Sequence, residues 1–280
     1  MVMQRWVSAL INVGFLQPLD KPHMVKERDG FIYVTLISTE KLLKINTSNY
    51  TVAGEVSNIT KAGMIHISPD GTKAYVSRSS TSDPVFNEIF VVNRTNMTVI
   101  KELLLPAFGV LHGLALTHDG TTLYVANLTA DRISIIDAVN DEFVENIVLP
   151  QGTEPMQASI SPDGKYLYIS ARGTNMLMVI DPETKVILDE VTVAAGPMHI
   201  AVSSDGNKIY IPSMMGNVVN VVTKNDSSWS KTNEISHTGL NMMQGADLTD
   251  DDRYLYVPSR NAEGLFKTKF QVTCEGPSGQ

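Results

Sequence analysis

The amino-acid sequence predicts an all-β fold that is built from one recurring unit. Asp-Gly pairs recur along the chain at intervals of 41, 49, 44, 42 and 46 residues. They lie at Asp29-Gly30, Asp70-Gly71, Asp119-Gly120, Asp163-Gly164 and Asp205-Gly206, with Asp251-Asp252 in the sixth equivalent place. An apolar segment bearing an aromatic residue follows each pair, and helical spacing is sustained nowhere. Four short strands in roughly 40–50 residues, repeated, is the pattern of the blades of a β-propeller.

Each unit contains four apolar segments in a constant order. The first leads into the Asp-Gly pair, as in "MIHISPDG" and "IAVSSDG", and the second follows it, as in "FIYVTL", "KAYVSR", "TLYVAN" and "YLYVPS". The third resembles "KLLKIN" or "RISIID", and the fourth resembles "TVAGEV" or "VILDEV". Because Asp-Gly provides the positive φ angles of a tight turn, we predict a two-residue hairpin at each pair.

The units are expected to form a single domain over residues 1–280. They begin near residues 20, 62, 110, 155, 197 and 242, and one blade cannot cover its own apolar faces. The sixth unit is incomplete, so we predict six blades, with "KFQVTC" as the third strand of the last blade and residues 5–13 as its outer strand. A fragment of a seven-bladed protein is the alternative. The N-terminal residues also have the rough layout of a secretory signal, but they alternate as a strand does and lack a cleavage pattern.

The segments "SPDGKYLYIS", "MLMVIDPETKVILDEVTV" and "GPMHIAVSSDG" resemble the YVTN-type, surface-layer-like β-propeller repeat. The resemblance extends over about residues 20–258. It departs from the pattern where the Asn that ends the aromatic strand survives only as Asn127, and where "TKNDSSWSKT" replaces the last turn of the fifth unit. The resemblance implies a WD40-like blade architecture and a secreted protein of the periplasm or cell surface.

Composition excludes several classes of protein. The net charge is −8 and Lys and Arg are not clustered, which argues against a nucleic-acid or anionic-membrane surface. No apolar run reaches the length of about 18 residues that a membrane helix needs. The single cysteine, Cys274, excludes an internal disulfide framework and a cysteine zinc site.

The repeat predicts where a ligand would bind. In a propeller the first strands line a central channel, so equivalent positions of successive units form rings. The ring seven residues before each turn aspartate contains Gly63, His112, Met156, Met198 and Gln244, with His23 joining if the first unit has a one-residue deletion. The next ring adds His199, and the ends of the second strands add Arg78, Arg172 and Arg260. We expect these side chains at one channel mouth.

Three interpretations of this mouth remain open. Methionine and histidine side chains fill irregular channels by packing. Arg78, Arg172 and Arg260 are able to hold a small anionic ligand through charge-assisted hydrogen bonds. His23, His112 and His199, with soft Met sulfur, are able to bind a metal such as copper.

A propeller supports many functions, so the fold does not settle this one. The sequence contains no Gly-x-Ser-x-Gly, Walker or His-Glu-x-x-His motif, and it requires no cofactor. The leading hypothesis is therefore a non-catalytic binding protein whose partner is a protein or a small anionic ligand. The alternatives are a lactonase-like propeller hydrolase and a copper- or redox-associated propeller. Seven Asn-x-Ser/Thr sequons suggest either glycosylation or a turn that favours Asn and Thr for conformational reasons.

Overall fold

The computed structural model describes residues 21–79, 87–106, 109–238 and 240–259, together with the backbone of a strand at Gly264–Lys269. The chain forms two compact units, Met1–Leu149 and Pro150–Gln280. Strands of the first unit are β1 Pro22–Arg28, β2 Phe31–Leu36, β3 Lys41–Asn46, β4 Val52–Ser57, β5 Ala62–Ile67, β6 Lys73–Arg78, β7 Glu88–Asn93, β8 Thr98–Leu104, β9 Leu111–Leu116, β10 Thr122–Asn127, β11 Arg132–Asp137 and β12 Glu142–Val148. Strands of the second are β13 Pro155–Ile160, β14 Leu167–Ala171, β15 Met176–Ile180, β16 Ile187–Thr192, β17 Ala201–Val202, β18 Lys208–Ser213, β19 Val218–Asn225, β20 Ser228–Ser236, β21 Asp247–Leu248, β22 Tyr254–Ser259 and β23 Gly264–Lys269.

The strands form antiparallel sheets in sequence order, as the repeat predicts. Each unit of the repeat gives one sheet, and the sheets are β1–β4, β5–β8, β9–β12, β13–β16, β17–β20 and β21–β23. The first five have four strands and the described part of the sixth has three. Among the described residues, no helical segment has the length and apolarity needed to cross a lipid bilayer.

The sixth sheet differs from the prediction in its third strand. That strand is Gly264–Lys269, so it precedes the predicted segment 269–274 and overlaps it by one residue. Residues 270–274 and the predicted closing strand at residues 5–13 lie outside the described residues. Closure of the last blade by the N-terminus and a single domain over 1–280 therefore stay predictions.

Both faces of the central strands of the second sheet are buried, because this sheet packs between the first and the third. In β6, Tyr75 belongs to a cluster with Leu111 and Leu123 of the third sheet. The adjacent residues Ala74 and Val76 point the other way, into a cluster with Tyr33 and Leu42 of the first sheet. This two-sided burial explains why the second and third strands are continuous apolar runs, while the fourth strands alternate. First strands of successive sheets contact one another, namely β1 with β5, β5 with β9, and β17 with β21.

The Asp-Gly turns are of two kinds, which corrects the expectation of two-residue hairpins throughout. Only the first turn matches it: Arg28 pairs with Phe31, and Asp29 and Gly30 have φ angles of 53° and 76°. Later units have wider turns in which a Ser or Thr, two residues before the aspartate, donates to the aspartate carboxylate. The Oγ–Oδ1 distance is 2.6 Å at Ser68–Asp70, Thr117–Asp119, Ser161–Asp163, Ser203–Asp205 and Thr249–Asp251. The same hydroxyl oxygen accepts a backbone N–H from the start of the second strand, so the Ser-x-Asp-Gly pattern closes the turn through its side chains.

Several sequons lie in turns where the asparagine has a structural role. Asn46 Oδ1 accepts bonds from the backbone N–H and the hydroxyl of Ser48, and Asn49 does the same for Thr51. Asn93 accepts the N–H of Thr95 in the corresponding turn of the second sheet. These contacts favour the conformational interpretation of the Asn-x-Ser/Thr pattern at these positions.

Candidate functional site

Predicted ring positions of three successive sheets meet in the first unit. The imidazoles of His23 in β1 and His112 in β9 contact edge to face, with ring centroids 6.0 Å apart and an interplanar angle of 73°. His23 also forms a hydrogen bond with the backbone of Gly63 in β5. Side chains 89 positions apart in the sequence therefore share one surface, because each sheet presents the same register position at the same end.

The His23 ring is disfavoured as a cation. Partial desolvation by its neighbours lowers the pKa of His23, and the hydrogen bond with Gly63 opposes that shift. A neutral imidazole has one donor and one acceptor nitrogen, so it is suited to hydrogen bonding with a polar partner. Because His23 is exposed and His112 is half-buried, both rings are reachable from solvent.

In the second compact unit, Pro150–Gln280, some of the predicted ring residues are exposed and others are buried. Gln244 is exposed, and its Nε2 lies 3.8 Å from Sδ of Met214 at the end of β18. Met156 and Met198 are only 6% and 4% exposed, which agrees with the packing interpretation rather than with a ligand contact. His199 is half-buried.

The arginines predicted to hold an anion already have carboxylate partners. Arg78 Nη1 lies 3.0 Å from Oε2 of Glu88, and both side chains are largely buried. Arg172 places Nε and Nη2 at 3.1 and 2.8 Å from Oε2 of Glu154 in a more exposed pair. These carboxylates offset the charge of Arg78 and Arg172, and anion binding by the arginines stays a prediction. Arg260 lies outside the described residues.

The metal hypothesis finds no ligand cluster in the described part of the chain. Within those residues, no group of three or more His, Cys, Asp or Glu side chains is placed to hold an ion. Of the three histidine candidates, His23 and His112 belong to the first unit and His199 to the second. The first two are neighbours, but a pair of imidazoles makes up only half of a usual four-ligand site.

A half-buried histidine outside the predicted mouth, His66, is expected to make the fold sensitive to acid. Burial lowers the pKa of His66 in β5 to about 4, and the charge of Lys26 adds to that shift. Between these two pH values His66 stays neutral in the folded protein, whereas in the unfolded chain, with a pKa near 6.5, it accepts a proton. The contribution of His66 to stability is therefore fully present above about pH 6.5 and is lost as the pH falls toward 4.

We expect His66→Gln to weaken this acid sensitivity. Between pH 7 and pH 4, the free energy of unfolding of the wild type should fall by about 2 kcal/mol more than that of the variant, since His66 is not fully buried. Urea denaturation at both pH values measures the difference. His237→Gln, which replaces an exposed histidine, should keep the wild-type pH dependence. If the free energy of unfolding falls equally between pH 7 and pH 4 in the wild type and in His66→Gln, His66 is not the acid-sensitive group.

Comparisons with known proteins place this architecture among the propellers. No protein-family model matches the chain. Antigen Lp49 of Leptospira interrogans serogroup Icterohaemorrhagiae serovar copenhageni is 25% identical over 272 residues, which cover 88% of this chain and 59% of that protein. The chain therefore spans less than two thirds of the length of this curated relative.

Two solved structures share the fold at low sequence identity. Virginiamycin B lyase from Staphylococcus aureus is 17% identical, with a TM-score of 0.70, over 90% of this chain and 85% of that one. The β-propeller domain of Cps50 (Swd1) from Myceliophteria thermophila is 12% identical, with a TM-score of 0.71, over 89% of this chain and 82% of that one. The chain thus has the all-β propeller fold, and each of its four-stranded sheets corresponds to one blade.

Proposed function

We propose that this chain is a non-catalytic binding propeller of the YVTN type that recognises a protein partner outside the cytoplasm. The contact between His23 and His112 is the observation that carries the proposal. It places two solvent-reachable polar rings from different sheets at the end where the repeat predicts a shared recognition surface.

A protein partner suits this surface better than a small anion. Arg78 and Arg172 are paired with carboxylates, so the strongest attraction for an anion is already offset. Neutral imidazoles bind through directional hydrogen bonds and apolar edges, which are common features of protein interfaces. The net charge of −8 favours a partner with a basic surface.

Two observations support a location in the periplasm or at the cell surface. The repeat resembles the YVTN pattern of surface-layer-like proteins, and the curated relative is named an antigen, a molecule that antibodies recognise.

Site-specific photocrosslinking tests the proposal in the cells that produce the protein. A photoreactive residue in place of His112 should give a discrete adduct with one protein, and the same residue in place of exposed Thr184 should give none. Loss of the adduct when His23 is also replaced by Ala would show that the pair is the contact. Adducts of equal yield from both positions would contradict a specific surface.

Two assays on the purified protein test the rival functions. Virginiamycin B lyase demonstrates that this fold supports catalysis, so turnover of a sugar lactone or of virginiamycin B that disappears in His112→Ala would replace the binding proposal with an enzyme. Calorimetric titration with phosphate tests the anion. Saturable binding that Arg172→Ala abolishes would replace the protein partner. We expect background turnover and no saturable phosphate binding.

A further inference from the structure

A cavity of about 280 Å³ lies in the second unit, between the first turns of the fourth and fifth sheets. Its walls include Tyr166, Tyr168 and Lys224, and its rim includes Asp163 and Asp205. This volume is close to the lower limit for small-ligand pockets.

The tyrosines that line the cavity belong to an aromatic cluster whose third member, Trp229, packs behind them where the fifth unit departs from the repeat. Trp229, from "TKNDSSWSKT", packs edge to face on Tyr166 at 4.8 Å and on Tyr168 at 6.4 Å between ring centroids. Lys224 Nζ lies over the Tyr166 ring, 4.5 Å from its centroid. The cluster is therefore a rigid apolar wall with one ammonium at its edge.

The equivalent place between the second and third sheets is filled by polar contacts. Tyr75 Oη donates a hydrogen bond of 2.9 Å to Oδ1 of Asp141, and Lys73 Nζ lies 2.7 Å from Oδ2 of the same carboxylate. By strand register, Tyr166 and Tyr168 occupy the positions of Lys73 and Tyr75, and Trp229 occupies that of Asp141. Replacement of the carboxylate by an indole removes one of the two acceptors that the Tyr75 hydroxyl has, the other being the Ala138 carbonyl oxygen.

One buried hydroxyl consequently lacks an acceptor. Trp229 Nε1 donates toward Tyr168 Oη, and the buried O–H of Tyr168 has no acceptor among the described residues. The Tyr168 side chain is fully buried and lines the cavity, and Trp229 is 5% exposed. An unsatisfied buried group costs about 1–3 kcal/mol, so a ligand oxygen beside Tyr168 Oη would recover part of that cost.

The charges of the rim restrict the chemistry of the ligand. Hydrogen bonds from the hydroxyls of Ser161 and Ser203 hold the pKa of Asp163 and of Asp205 below the usual range, so both carboxylates are ionised at neutral pH. Lys165 Nζ lies 3.7 Å from Oδ2 of Asp163, so two carboxylates and the two ammonium groups of Lys165 and Lys224 nearly balance, which disfavours an ion of either sign. The carboxylates are able to accept further hydrogen bonds, while Tyr168 Oη and Lys224 are able to donate to acceptors.

Hydroxyl groups satisfy both requirements, because each is a donor and an acceptor. We propose that this turn cavity, between the first turns of the fourth and fifth sheets, binds a neutral, hydroxyl-rich ligand of the size of one sugar residue. The site is separate from the histidine surface, and it does not depend on the function proposed above.

Trp229 provides the measurement, because the chain has only one other tryptophan, Trp6. In a Trp6→Phe background, tryptophan emission reports on the cavity wall. The probes are glucose, galactose, mannose and N-acetylglucosamine, each as the free sugar and as its methyl glycoside. Saturable binding of free sugars and glycosides alike indicates a ring recognised by its hydroxyls, and preference for a glycoside indicates the end of a glycan.

Tyr168→Phe removes the unsatisfied hydroxyl without changing the ring, and it should raise the dissociation constant about five- to tenfold. Tyr33→Phe is the matched control, since Tyr33 has the same position in the first sheet and is also fully buried. It should leave sugar affinity unchanged. Lys224→Met, which keeps the stem but removes the ammonium, should also weaken binding.

Three results would overturn the proposal. The first is a Trp229 emission that responds to none of the sugars while the protein is folded. The second is equal affinity for sugar in Tyr168→Phe and in the parent. The third is saturable binding of inorganic phosphate in preference to the sugars. If Tyr168→Phe fails to fold, Lys224→Met alone decides the outcome by its sugar affinity.

Discussion

Glu88→Ala is expected to lower the free energy of unfolding by about 3–5 kcal/mol, because it leaves the buried Arg78 guanidinium without its carboxylate. Side-chain exposures of 8% for Arg78 and 15% for Glu88 mean that water cannot replace the lost partner. Urea denaturation measures the change. The matched control is Glu154→Ala, which removes the carboxylate of the more exposed pair with Arg172 and should cost less than about 1 kcal/mol.

The double variant Arg78→Met, Glu88→Leu should recover most of the stability that Glu88→Ala loses, since two apolar side chains need no charge compensation. A double variant as unstable as the single one would contradict this account. It would mean that Arg78 has a role beyond its pair with Glu88.

Asp141→Ala is expected to cost about 2 kcal/mol, because one substitution removes a charged acceptor from two donors, which then keep only the Ala138 carbonyl oxygen. Tyr75 Oη and Lys73 Nζ both lose the carboxylate, and Tyr75 is fully buried. Chemical denaturation again measures the loss, and Asp141→Asn should cost less because its amide oxygen still accepts from Tyr75.

Lys185→Ala controls for strain in the backbone. Lys185 holds the equivalent turn position in the fourth sheet, and its φ of 63° is close to the 54° of Asp141. Any cost of placing alanine in the left-handed region is therefore shared by both variants. If they lose the same stability, the effect comes from the backbone and the polar contacts of Asp141 contribute little.

Most strands could be predicted from the sequence because the physical signal is strong and repeated. The segment "KAYVSR" matches β6 residue for residue, since burial on both faces selects the apolar centre Ala-Tyr-Val after a polar turn. The meeting of His23 with His112 also followed from counting, because the register before each turn is nearly constant. To predict positions of this kind, only the spacing of the repeat along the chain is needed.

The remaining features depend on contacts that the period does not encode. The turns are wider than Asp-Gly alone suggests because the hydroxyl of Ser68, outside that pair, sets their geometry. The pairing of Arg78 with Glu88 joins two strands across a loop of variable length. The cavity at Trp229 was visible in the sequence only as a departure from the repeat, and a departure does not say what replaces the lost contact.

The junctions between neighbouring sheets have a consequence for how such a chain acquires new specificity. The junction of the second and third sheets is sealed by a lysine, a tyrosine and an aspartate, and that of the fourth and fifth by two tyrosines and a tryptophan. Each set belongs to just two sheets, so a mutation in one outer turn remodels one seam and leaves the others intact. Mutation is thereby able to replace a structural ion pair by a pocket at one junction between two sheets, while the contacts at the other junctions stay unchanged.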